Sequence, residues 1–153
     1  MTLTRRAALA AAAATVAAPS VLRAQQVTEL TFYYPIAIGG PVPRIIDGYC
    51  EAFQRQTGIT VKPVYAGFYG ETLTKAVTAI RGGTGPHFSV LLAAELHSLR
   101  DMDILASIEE IDGSPEAKSW LGGFFPAFMA NSLAEGRTWS VPFQRSTSIY
   151  FYN

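Results

Sequence analysis

The sequence predicts an α/β fold. Between residues 30 and 101, short β-branched and aromatic runs alternate with amphipathic helical stretches, and Gly or Pro clusters fall at their boundaries. Alternation of that kind implies a parallel or mixed sheet covered by helices on both faces.

The first predicted strand is Leu30 to Tyr34, followed by a loop through Pro35 and Gly39-Gly40-Pro41. Pro43 suits a first helical turn, where its missing N–H has no partner to lose. Ile45, Ile46, Tyr49, Cys50 and Phe53 then recur on one face as far as Gly58, the expected stop. Ile59 to Tyr65 supplies a second strand. The loop Ala66-Gly67-Phe68-Tyr69-Gly70 leads into a helix whose Leu73, Ala76, Val77 and Ile80 follow the i, i+3, i+4, i+7 pattern, with Glu71 near its positive end. After Gly82 to Pro86, Phe88 to Ala93 reads as a third strand, apolar enough to be central, and Glu95 to Asp101 as a helix. The pattern weakens from Ile104 onward. Asp112-Gly113-Ser114-Pro115 is a turn, Trp120 to Phe128 an aromatic stretch expected to be buried, and Phe128 to Leu133 helical. Glu135-Gly136 turns the chain into a strand over Thr138 to Val141.

Residues 1–24 read as an export signal. Arg5 and Arg6 precede an alanine-rich apolar run ending at Ala18, and Leu22-Arg23-Ala24 offers a small-residue exit. The paired arginines give the leader a twin-arginine character. The apolar run falls short of the roughly 20 residues a membrane span needs. Residues 25–153 then form the mature segment, expected in the periplasm, with nine basic residues against twelve acidic ones. That balance gives no support for nucleic-acid binding. Cys50 is the only cysteine, so no internal disulfide is possible, and its apolar neighbours predict a buried small hydrophobe.

Chemistry-bearing motifs are sparse. The Gly82 to Gly85 cluster follows a helix and lacks the Gly-Lys-Ser/Thr ending of a phosphate loop, so it reads as a helix stop and turn. His87 and His97 match no zinc spacing, and no cofactor is expected. The serines near the C-terminus have no Gly-x-Ser-x-Gly elbow. Glu109, Glu110 and Asp112 read as a solvated edge. Three loops remain, all at the carboxyl ends of predicted strands, where open α/β sheets bind ligands. The first carries Tyr34 and the second Tyr69; the third, around Gln144 to Ser148, brings Arg145, Ser146 and Thr147. Hydroxyls, a guanidinium and helix-start N–H groups suit a small polar or anionic solute. Tyr69 has two readings, packing and ligand contact; Arg145 likewise reads as a solvated charge or an anion partner.

The final stretch, WSVPFQRSTSIYFYN from Trp139 to Asn153, places this polar knot ahead of Ile149 to Tyr152, which is strand-like and expected to be buried. More chain is expected downstream. In order and spacing, AFQRQTGITV, VYAGFYGETL, AIRGGTGPHFSVL and VPFQRSTSIYFYN resemble the N-terminal part of a bacterial extracellular solute-binding protein of family 1, over about Leu30 to Asn153. Within that family the chain is most similar to the periplasmic sn-glycerol-3-phosphate-binding proteins.

The resemblance implies a type II periplasmic-binding-protein-like, two-lobed fold, of which this chain holds part of the first lobe and the approach to the second. It also implies a role as the solute-binding, non-enzymatic component of an ABC importer. The partners are then a small-molecule solute and a membrane permease, and the protein is expected to be a monomer. The tyrosine of the Gly-x-Tyr loop corresponds to Tyr69, and the serine of the Pro-Phe-x-x-Ser-Thr segment to Ser146; both are expected to bond the solute. Where the glycerol-phosphate binders carry a glutamate, this sequence has Ala93, with Glu95 two positions on. The solute is therefore a glycerophosphodiester, a sugar or a polyol as readily as glycerol phosphate itself. The alternatives are an exported hydrolase of phosphoesters or glycosides, and a structural domain without a ligand.

Overall fold

The computed structural model describes residues 27–35, 41–146 and 149–152. The predicted leader lies outside them. The fold is α/β, as the sequence predicts. A parallel sheet in the order β2-β1-β3 is built from β1 (Glu29–Tyr34), β2 (Thr60–Tyr65) and β3 (Phe88–Ser89). The first helix, α1 (Val42–Thr57), joins β1 to β2, and α2 (Tyr69–Arg81) joins β2 to β3.

The β1 strand is central, paired in register with β2 from Glu29↔Thr60 to Tyr34↔Tyr65. The prediction of a central third strand is thereby corrected. Only Phe88 and Ser89 form the β3 ladder, opposite Phe32 and Tyr33. Hydrogen bonds extend this contact at each end: His87 N–H donates to the Thr31 carbonyl at 3.0 Å and Val90 N–H to the Tyr33 carbonyl at 2.9 Å. The chain then leaves the sheet and tightens into a 3₁₀ turn at Ala93–Glu95, ahead of α3 (Leu96–Asp101). His87 has a structural role, because its Nδ1 accepts the Thr31 N–H at 2.9 Å.

The core lies between the sheet and α1. Phe32, Tyr34 and Ile46 are buried together, with Val42, Cys50, Val61 and Val90 packed against them. Phe32 stacks on Phe88 at 4.6 Å between ring centroids. Cys50 is half-buried against this cluster, and burial raises its thiol pKa. The buried stripe of α1 runs through Val42, Ile46 and Cys50, whereas Ile45, Tyr49 and Phe53 face solvent. Gly58 ends the helix in the left-handed region, at φ 76°, and donates its N–H to the Gln54 carbonyl at 2.8 Å.

Beyond α3 the chain forms three short helices, α4 (Ile108–Ile111), α5 (Pro115–Leu121) and α6 (Pro126–Met129), and a 3₁₀ turn at Ala130–Ser132. A hairpin of β4 (Leu133–Ala134) and β5 (Arg137–Thr138) turns through Glu135 and Gly136. Ser107 caps α4 and Ser114 caps α5 with their hydroxyls. Three expectations change in this region. The aromatic stretch is not interior: Trp120, Phe125 and Phe128 are exposed, and they satisfy one another in edge-to-face pairs, Trp120 with Phe124 and Phe125 with Phe128. The predicted strand at Thr138–Val141 stops at Thr138, because only two residues of each hairpin arm face each other. Ile149 to Tyr152 is exposed and forms no strand among the described residues.

The acidic cluster is also more than a solvated edge. Both Glu109 carboxylate oxygens accept the Thr138 N–H, at 3.0 and 3.1 Å, and Glu110 pairs with Arg137 while accepting the Ser107 N–H at 2.9 Å. These donors hold both carboxyls below the usual glutamate range. From the other side, Arg100 on α3 pairs with Glu135 at 2.5 Å and lies over the Trp139 ring, 5.1 Å from its centroid. The hairpin is thus clamped between α3 and α4.

Candidate functional site

The loop between β2 and α2 is shaped by Gly67 and Glu71. Gly67 has φ 106°, and a Cβ at this position would come within 1.9 Å of Glu71 Oε2 and 2.9 Å of Glu71 Cβ. Only glycine leaves room for the Glu71 carboxylate to swing back and accept the Phe68 N–H at 3.1 Å. The Thr72 hydroxyl, fully buried, donates to the Gly67 carbonyl at 3.3 Å. With its backbone fixed from both sides, the loop delivers Tyr69 as the first residue of α2.

The second part of the site comes from the segment after the hairpin. Trp139 N–H donates to the Ser132 carbonyl at 2.9 Å and its indole N–H to the Ala134 carbonyl at 3.0 Å, anchoring the start of the run. Five residues on, Gln144 Nε2 donates to the Tyr69 hydroxyl at 2.8 Å. That bond joins residues 75 positions apart. Arg145 donates from Nη2 to the Phe128 carbonyl, with its guanidinium carbon 5.9 Å from the centre of the Phe128 ring. Ser146 is exposed beside it.

The structure thus joins Tyr69 to the C-terminal polar run through Gln144, while Arg145 reaches the Phe128 carbonyl, Ser146 is exposed, and Thr147 lies outside the described residues. Tyr34 does not join them. It is the last residue of β1 and only 6% exposed, packed with Phe32 and tilted against Tyr65. Burial, more than the nearby Asp47, raises its phenol pKa. Glu95 ends the 3₁₀ turn and lines a groove of about 300 Å³ with Leu73, Val77, Arg81 and Met102, to which Tyr69 and Gln144 do not contribute. A second groove, of about 380 Å³, lies along Tyr33, Val64, Tyr65 and Lys75. Neither groove contains the Tyr69–Gln144 pair, which sits on open surface. Among the described residues no group of three His, Cys, Asp or Glu side chains could hold a metal.

Gln144 was not singled out by sequence as a site residue. Its side chain has no motif of its own, and the one signal for it was its place in the polar run beside Arg145 and Ser146.

In fold, the chain is similar to several solved solute-binding proteins. Extracellular solute-binding protein family 1 from Alicyclobacillus acidocaldarius superposes with a TM-score of 0.62 at 16% identity, over 76% of this chain and 28% of that one. The galacto-N-biose-/lacto-N-biose I-binding protein of the ABC transporter from Bifidobacterium longum gives 0.62 at 17%, over 76% and 28%. The Thermus thermophilus maltotriose-binding protein gives 0.60 at 15%, over 72% and 28%. The chain therefore spans about a quarter of the length of the structures it matches. No curated protein sequence matches it. The family described as bacterial extracellular solute-binding protein matches residues 48–153, which include α2, the hairpin and the whole Gln144 segment. By that match the chain belongs to the bacterial extracellular solute-binding proteins.

Proposed function

We propose that the protein is the solute-binding component of an ABC importer. Residues 1–24 direct its export to the periplasm, and it captures a small polar solute for a membrane permease without chemical turnover. The observation that carries this reading is the 2.8 Å contact between Tyr69 and Gln144, which brings a hydroxyl and an amide from two distant segments together on open surface, with Arg145 next in sequence. Such groups recognise the oxygens of a sugar, a polyol or a phosphate.

The family match supports the binding role, and the relatives solved with lacto-N-biose or maltotriose support an oxygen-rich solute. The sn-glycerol-3-phosphate-like choice rests on the Tyr69 and Ser146 motifs, and sugars stand beside it. Binding by one lobe would favour the closed form of a two-lobed protein, which is the form a permease can distinguish.

A thermal-shift panel of sn-glycerol 3-phosphate, glycerophosphodiesters, maltotriose and lacto-N-biose tests the proposal, with calorimetry on any hit. A solute at 100 times its dissociation constant should add about 2.7 kcal/mol of stability. No shift across the panel, or steady turnover of a phosphoester or glycoside, overturns it.

A further inference from the structure

We infer that Gln144 sets the hydrogen-bond polarity of the Tyr69 hydroxyl, and so selects a solute that presents an oxygen lone pair at that point. The inference rests on the solute-binding reading given above.

A phenol can both give its O–H and receive a hydrogen bond at oxygen. An isolated tyrosine on an open surface would therefore accept either kind of partner. Tyr69 is not isolated. Gln144 Nε2 donates into its oxygen at 2.8 Å, which fills the receiving role and leaves the O–H to be offered outward. The donated bond also polarises the phenol, making its O–H a better donor.

The neighbouring positions reinforce this choice. Arg145, next in sequence, carries only donors, and one of them is taken by the Phe128 carbonyl. Gly67 and Glu71 fix the Tyr69 backbone, while Trp139 anchors the segment carrying Gln144, so the geometry exists before any solute arrives. A phosphate, carboxylate or sugar oxygen meets an oriented O–H there. A group with only N–H donors, such as an ammonium, meets a hydroxyl whose receiving side is already taken.

The test uses the full chain and has a ligand-free arm and a ligand arm. In isotope-edited NMR the Gln144 side-chain amide pair, identified by its loss in Gln144→Leu, should move in Tyr69→Phe; a pair that stays in place overturns the inference without reference to any solute. Calorimetry then uses whichever of sn-glycerol 3-phosphate, a glycerophosphodiester, maltotriose and lacto-N-biose the unaltered protein binds. Gln144→Leu should weaken that probe roughly 3- to 10-fold, the worth of one hydrogen bond's orientation. In a Tyr69→Phe background the same change should have no further effect.

Gln144→Glu should weaken binding more, because a carboxylate accepts the Tyr69 O–H hydrogen bond itself and turns it away from the solute. That extra loss should also vanish in the Tyr69→Phe background. Losses that persist there identify direct contact or charge repulsion by residue 144 and overturn the inference, leaving the solute-binding reading intact. An unaltered protein that binds no member of that panel overturns that reading and the inference with it.

Discussion

Ser146 and Gly67 carry different predictions, one as a proposed solute contact and the other as the residue that makes room for Glu71. A serine hydroxyl bonded to an anionic solute contributes on the order of 1.5–3 kcal/mol. Ser146→Ala should therefore lower affinity roughly 10- to 100-fold by calorimetry, and an unchanged value removes Ser146 from the site. Gly67→Ala acts differently. The added Cβ meets Glu71 Oε2 at 1.9 Å and Glu71 Cβ at 2.9 Å, on a backbone whose φ of 106° already disfavours alanine. Moving the carboxylate away frees the Phe68 N–H, so the cost combines strain with a lost cap. Denaturant unfolding should show a loss of about 1–3 kcal/mol, and no loss would mean the loop re-forms without Glu71. Sequence spacing had placed Tyr69 in this loop and Glu71 at the helix start. It could not show that Gly67 exists to accommodate Glu71, which depends on where a carboxylate swings in space.

Among the elements, the hairpin shows most clearly what single-sequence patterns miss. Glu109 and Glu110 looked like a solvated edge because acids in a row usually are, yet their partners lie 27 to 29 residues away, on Arg137 and Thr138. Helices α1 and α2 were legible because their apolar periodicity and stop signals are local. The aromatic stretch misled because four nearby rings suggest an interior, whereas these pair with one another at the surface.

The Glu109 bonds have a pH consequence. The folded protein holds this carboxyl below its usual range, so the unfolded chain binds more protons as pH falls. The stabilisation is fully present above the ordinary glutamate range and is lost as pH drops through the lowered value. Glu109→Gln should flatten this part of the acid dependence of the denaturation midpoint. An equally steep dependence in the variant would show that the Thr138 contact does not carry it.

At the scale of the whole molecule, much apolar surface faces solvent. Ile149 is 66% exposed, Tyr150 94%, Phe151 89% and Tyr152 97%, and Phe125 adds a ring 74% exposed. Exposed apolar side chains of this size make an apolar patch open to solvent. A dye that fluoresces on apolar surface should bind the native 153-residue chain, and Tyr150→Ser with Phe151→Ser should reduce its signal. Unchanged fluorescence would place the bound surface elsewhere. The α/β class and strand sequence were legible at this scale, but the centrality of β1 was not, since strand order depends on how crossovers pack rather than on apolar content.

The β2-β1-β3 order also separates two moments in the life of the chain. All three strands and both connecting helices lie between Glu29 and Ser89. A nascent chain that has just released Val90 already holds every residue of the sheet, with its pairings bridged by local helices. Gln144 emerges more than fifty residues later. During synthesis the scaffold can thus assemble well before Tyr69 meets Gln144, and the proposed recognition surface is added to a sheet that has already formed.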